Sequence, residues 1–169
     1  MRFFFFVIIL SVCFVSCSRT VYVVRHAEKI TSAGDASTMM DNDPPLSDAG
    51  KVRALVLKNE LTSKHITHIY STNTLRTRST AEPLSQAIKI NVELYNNIDS
   101  LVTTIRSAKG NVLVVGHSNT VDDIVNKLCV QTKIATDLKD GEYDNLFVVK
   151  IKGKKVHFDK RKYGYPSNP

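Results

Sequence analysis

The sequence predicts an α/β fold: a three-layer α/β/α sandwich with a mostly parallel sheet, closed by a C-terminal β-hairpin. Three observations carry that prediction. Val21-Tyr22-Val23-Val24 and Val112-Leu113-Val114-Val115 are apolar throughout and mostly β-branched, as strands buried on both faces must be. Stretches with apolar residues spaced by three and four alternate with strand-like runs, which calls for helical crossovers between parallel strands. Finally, the segments 146–151 and 156–163 flank Gly153 too closely for a crossover, so they pair as a hairpin.

The chain of 169 residues suits one domain. Its 43% hydrophobic content supplies a core, and its 23% charged residues are too few for a disordered chain. Seven Gly and five Pro lie scattered, which excludes collagen-like and low-complexity architectures. Three Cys without a Cys-x-x-Cys pair, and no His-rich tract, exclude a disulfide-stapled miniature and a structural zinc site. Nothing in the chain calls for a metal or another cofactor.

The first element is an address. Residues 3–15 are apolar except Ser11, a length that fits a signal-peptide core and falls short of the roughly 20 residues of a bilayer span. The run closes on Phe14-Val15-Ser16-Cys17, which resembles the lipobox of bacterial lipoproteins, with Phe14 where that motif usually has Leu. Residues 1–16 are therefore expected to be a signal peptide and 17–169 the mature domain. The resemblance implies lipid on Cys17 and an envelope location, facing the periplasm from the outer membrane. A plainly secreted, soluble chain is the alternative. Cys13 leaves with the signal. Cys129 falls on the apolar stripe Val121, Ile124, Val125, Leu128 and is expected in the core.

The mature chain begins with the strand at 21–24. The polar segment 31–43 reads as a loop, stiffened at its exit by Pro44-Pro45. Ser47 then caps a helix expected to bury Val52, Leu55 and Val56. A strand at 66–70, a helix at 74–88 and a weaker strand at 90–94 follow. Asp99 or Ser100 is expected to cap a short helix bearing Leu101, Val102 and Ile105. The strand at 112–115 leads to the Cys129 helix, then a polar connection ends at Asp140-Gly141 before the hairpin. The net charge of +7 is concentrated in Lys150, Lys152, Lys154, Lys155 and Lys160-Arg161-Lys162, read as a solvated hairpin edge; no nucleic-acid partner is expected.

The chemistry gathers where strands end. Val23-Val24-Arg25-His26 and Val114-Val115-Gly116-His117 each place a His at the carboxyl end of a buried strand, where open α/β sheets form ligand sites. Arg25-His26-Ala27-Glu28-Lys29 resembles the signature of the histidine phosphatase superfamily, the group with phosphoglycerate mutase-like folds. Pro45-Leu46-Ser47-Asp48-Ala49-Gly50 is similar to that family's helix entrance. The segment from Tyr70-Ser71-Thr72 through Arg76-Thr77-Arg78-Ser79-Thr80-Ala81 is similar to its second arginine block, and Gly116-His117-Ser118-Asn119-Thr120 to its second histidine block.

The resemblance implies a phosphatase that hydrolyses phosphomonoesters through a phosphohistidine on His26, without metal, with Arg25, Arg76 and His117 clamping the phosphoryl oxygens. Guanidinium forks match phosphate oxygens bidentately, which suits Arg25 and Arg76 to that role. Glu28, Lys29, Ser118 and Asn119 are expected at the substrate. Among Glu82, Glu93 and Asp99, Asp99 is taken as the acid that protonates the leaving group. The substrate is then a phosphorylated small molecule or a phosphoprotein. Two alternatives stay open: a protein phosphohistidine phosphatase, and a catalytically weak lipoprotein that binds phosphate or polyanions.

Overall fold

The computed structural model describes residues 18–31 and 43–167; the signal-like segment, Cys17 and most of the polar loop lie outside the described residues. A six-stranded sheet runs through the middle in the order β3-β2-β4-β1-β5-β6. Its strands are β1 (Ser18–Arg25), β2 (Ile66–Ser71), β3 (Val92–Leu94), β4 (Asn111–Gly116), β5 (Asn145–Lys152) and β6 (Lys155–Lys162). The first four are mutually parallel, while β5 pairs antiparallel with β1, and β6 antiparallel with β5. The mostly parallel sandwich of the sequence reading is thus a four-stranded parallel half joined to an antiparallel hairpin edge.

Among the described residues four α-helices complete the layers: α1 (Asp48–Leu61), extended by a 3-10 turn at Thr62–Lys64, α2 (Leu75–Ile88), α3 (Ile98–Ser107) and α4 (Val121–Cys129). One face of the sheet packs Leu57, Leu61, Ala81 and Leu84 of α1 and α2 against Val24, Leu113, Val115 and Val148. The other packs Leu101, Ile105, Ile124, Val125 and Leu128 of α3 and α4 against Val21, Val23, Val112 and Val114. Alternation along each strand sends successive side chains to opposite faces. That is why β1 is apolar throughout Val21–Val24 and β4 throughout Val112–Val115. Cys129 lies in the second of these cores, as expected, and burial pushes its thiol pKa up.

Three local expectations are corrected. Val52 and Leu55 of α1 are exposed, and the inward stripe is Ala54, Leu57 and Leu61 together with the charged Arg53. The reason lies at the helix entrance, where the first turn sits so tightly on the chain after β1 that a Cβ on Gly50 would stand 2.1 Å from the Glu28 carbonyl oxygen. That contact fixes the rotation of α1. Neither Asp99 nor Ser100 caps α3; Asn97 does, accepting a hydrogen bond from the Ser100 amide. The third strand is shorter than expected and covers only its last three residues.

Candidate active site

β1 and β4 are adjacent, with Arg25 opposite Gly116 in the register. The two histidines therefore leave neighbouring strands side by side, and the His26 amide donates to the Gly116 carbonyl at 2.9 Å. Their ring centroids lie 5.5 Å apart, edge to face. Sequence separation of 91 residues collapses into one cluster because parallel strands deliver their carboxyl ends to the same edge.

His26 is buried, and its Nδ1 lies 2.8 Å from the Ala27 carbonyl oxygen. A carbonyl can only accept, so Nδ1 carries the proton and Nε2 keeps a bare lone pair. Burial is the main reason the imidazole pKa is pushed down to about 3, and the cations of Arg25 and Arg76 push in the same direction. The peptide that sets this tautomer is itself held: the Ala27 amide donates to Thr80 Oγ1 at 2.9 Å, and that hydroxyl donates to the Arg76 carbonyl.

His117 is oriented by the other arginine block. Its Nε2 is 2.9 Å from Thr72 Oγ1, and its Nδ1 faces a terminal nitrogen of Arg76 at 3.5 Å. A guanidinium only donates, so Nδ1 accepts and the Nε2 hydrogen points to Thr72. Burial, followed by Arg76 and Arg25, lowers its pKa to about 4, with Asp43 opposing. Arg76 is anchored from the far side by Asp43, whose second oxygen accepts from the Leu75 amide.

Arg25 is almost wholly buried and held by the connection that precedes β5. One terminal nitrogen donates to the carbonyls of Lys139 and Asp140, and the guanidinium lies 4.3 Å from the centre of the Tyr143 ring. The same ring is 5.8 Å from that of His26. The Nε atoms of Arg25 and Arg76 are both buried with no hydrogen-bond partner among the described residues. Buried donors are rarely left so in folded proteins. Two orphaned cationic donors beside two imidazoles form a receptor for an oxyanion.

The structure brings together Arg25, His26, Arg76 and His117 of the residues expected from sequence. Ser118 and Asn119 lie in the turn between β4 and α4, next to the site; the Ser118 carbonyl accepts from the Leu138 amide and Asn119 is exposed. Glu28 is turned the other way. Its carboxylate forms a fork on Arg53, with nitrogen–oxygen distances of 2.6 to 2.9 Å, while Arg53 also holds the carbonyls of Tyr163 and Tyr165. This corrects the expected substrate contact: burial of Arg53 demands a counter-charge, and Glu28 supplies it. Lys29 is exposed and bridges Leu46 through its backbone.

Asp99 is exposed in the first turn of α3 and binds Lys127 Nζ at 2.7 Å, so its carboxylate is committed to a surface pair. Glu82 accepts from Gln86 and Glu93 faces His68. No carboxylate among the described residues is hydrogen-bonded to either imidazole. The described residues also contain no group of three or more His, Cys, Asp or Glu suited to a metal ion. Sequence reasoning passed over Thr72, Thr80, Asp43 and Tyr143. The two threonines stood inside the quoted arginine block without a role, whereas Tyr143 had no local signal at all.

Residues 21–100 match the histidine phosphatase superfamily (branch 1). A comparison with curated protein sequences gives no match. Among solved structures, the protein histidine phosphatase SixA complexed with tungstate superposes with a TM-score of 0.65 at 18% identity, over 85% of this chain and 96% of that one. A mycobacterial glucosyl-3-phosphoglycerate phosphatase gives 0.62 at 11% identity, over 86% and 98%. YhfR of Bacillus stearothermophilus gives 0.60 at 15% identity, over 82% and 94%.

Proposed function

The chain belongs to the histidine phosphatase superfamily, and on that premise we propose that it is a phosphatase working through a phosphohistidine on His26. The observation that carries this reading is the bare Nε2 of a buried, neutral His26 beside two arginines with orphaned donors. The Nε2 lone pair attacks phosphorus, the bond from phosphorus to the leaving group breaks, and the leaving atom takes its electron pair. Water then attacks the same phosphorus, the nitrogen–phosphorus bond returns its pair to Nε2, and phosphate departs. Charge on the equatorial oxygens falls to the guanidiniums of Arg25 and Arg76, fixed cationic donors, and His117 joins them when the arriving oxyanion draws a proton onto its Nδ1.

One observation favours the phosphohistidine-phosphatase form of this reading. Asp99, Glu82 and Glu93 are each engaged away from the imidazoles. With no carboxylic acid among the described residues placed for the leaving group, a phosphohistidine turns over faster than an alkyl ester: with its second ring nitrogen protonated it expels neutral imidazole, whereas an alkoxide leaves poorly. The solved relative SixA bears the description protein histidine phosphatase, and it holds tungstate, an oxyanion.

The test compares a phosphohistidine peptide with aryl and alkyl phosphates, in the presence of a chelator. Turnover in the order phosphohistidine, aryl, alkyl, lost by at least about 1,000-fold in His26→Ala, is the expected result. Turnover that survives His26→Ala overturns it, and phosphate binding without any turnover leaves a binding protein. The reading locates the enzyme in the bacterial envelope, supported by the apolar run 3–15 and Cys17. Metabolic labelling with a radioactive fatty acid, lost in Cys17→Ala, is the corresponding check.

A further inference from the structure

The lysines of the hairpin tip stand beside the point where the chain leaves its N-terminal segment. Ser18, the first described residue, is opposite Lys152 in the β1–β5 register, and Lys152 is opposite Lys155 across the β5–β6 turn. Lys150, Lys152, Lys154 and Lys155 are all exposed. The same end of the sheet carries the starts of the parallel strands: Asn111 of β4 accepts from the Thr20 amide and donates to the Lys64 carbonyl, and Lys109 accepts from Thr67. Lys64 and Lys109 are exposed there as well. Not one of these six lysines is ion-paired among the described residues, whereas Lys51, Lys127 and Lys162 each hold a carboxylate.

Helix dipoles account for Lys64 and Lys109, which follow the C-terminal ends of α1 and α3. They do not account for the hairpin tip, which has no helix end. Cys17, the residue proposed above to carry lipid, immediately precedes Ser18 in the sequence, and the present inference rests on that envelope reading. The tip's charge and its position point to one surface that could satisfy both. We propose that this end of the sheet docks on an anionic lipid bilayer, with Lys152, Lys154 and Lys155 on the headgroups and Lys64 and Lys109 beside them. A lipid anchor on Cys17 and a basic patch together give firmer attachment than either alone.

Docking fixes the direction of the site. His26 lies at the opposite end of β1, eight residues beyond Ser18, or about 26 Å at the rise of a strand. The site therefore opens away from the lipid, toward soluble substrates.

The mature chain, lipidated on Cys17 and reconstituted in vesicles of phosphatidylcholine alone or with one-third phosphatidylglycerol, is treated briefly with an amine-acetylating reagent and read lysine by lysine. The expected result is several-fold protection of Lys152, Lys154, Lys155, Lys64 and Lys109 on the anionic vesicles only, reversed by 0.5 M salt as screening requires, roughly a 4 Å Debye length. Lys29, at the site end, keeps its reactivity. Equal labelling on the two vesicle types overturns the proposal, and so does protection of Lys29. In flotation, Lys152→Gln/Lys154→Gln/Lys155→Gln loses the preference for anionic vesicles by at least about tenfold, with His26-dependent turnover retained. A variant that keeps the preference, or a wild type whose lysines prefer a polynucleotide to the anionic vesicles, contradicts it.

Discussion

His26 and His117 stay uncharged at neutral pH for a shared reason: both are buried beside Arg25 and Arg76. Their folded pKa values, about 3 and about 4, lie below the ordinary 6.5. The unfolded chain therefore binds more protons than the folded one across that window. Their contribution to stability is complete above pH 6.5 and is lost as the pH falls toward 4. Each group gives a slope of about 1.4 kcal/mol per pH unit. Urea melts at pH 7 and pH 5 should differ by up to about 4 kcal/mol, and replacing His117 by Gln should remove up to half of that slope. A bound oxyanion reverses the sign for His117, because a dianion beside it favours the imidazolium. Sulfate, whose own charge is constant, should thus bind more tightly as the pH falls from 8 to 5, by up to about tenfold per unit. Isothermal titration in two buffers of different ionisation enthalpy would reveal the accompanying proton uptake; flat binding across that range is the contrary result. Arg25, His26, Arg76 and His117 were legible in sequence because each stands in a short motif at a strand end or helix start. Tyr143 was not, since its place over Arg25 depends on where a connection of irregular chain happens to close.

At the scale of elements, the site depends on how α1 meets the segment after β1. Ser47 caps α1 by accepting from the Gly50 amide, and its own amide donates to the Glu28 carbonyl. Gly50 lets the first turn reach that same carbonyl. Gly50→Ala must push α1 and residues 27–29 apart, and an overpacked contact of this kind costs about 1–3 kcal/mol or more. Thermal denaturation should show that loss together with a fall in kcat, since Ala27 sets the His26 tautomer. Glu28 acts on the same junction from the side. Glu28→Ala leaves the Arg53 cation buried beneath Tyr163 and Tyr165 without a counter-charge, a loss of about 3–5 kcal/mol. An unchanged KM for that variant's folded fraction would agree with a structural role, and a large rise in KM with full stability would return Glu28 to the substrate. The spacing of α1 foretold a helix and its cap correctly. Its buried face was not readable, because the apolar count favoured Val52 and Leu55, while the Gly50 contact and the Arg53 fork turned the helix otherwise.

Across the whole molecule, one sheet separates two kinds of chemistry. The carboxyl ends of β1 and β4 carry the two imidazoles and Arg25, and their amino ends lie beside Ser18 and the lysines that have no ion pair among the described residues. A phosphorylated lipid in the bilayer that the lysines grip would lie about a strand length away from His26. Phosphatidic acid in the vesicle should accordingly remain intact while a soluble aryl phosphate is hydrolysed, as phosphate release over the same interval would show. The sandwich itself was legible because buried parallel strands and amphipathic crossovers leave different periods in the sequence. The meeting of the hairpin tip with Ser18 was not, since register between β1 and β5 is a tertiary property.

The central claim is that His26 Nε2 becomes covalently phosphorylated. Rapid quenching of turnover on a phosphorus-labelled aryl phosphate, followed by peptide mapping and phosphorus NMR, tests it most directly. The account predicts an alkali-stable, acid-labile phosphoryl group on Nε2 of His26, absent in His26→Ala and formed fast enough to lie on the reaction path. Phosphate on His117, phosphate on Nδ1 of His26, or turnover with no phosphoenzyme would contradict it.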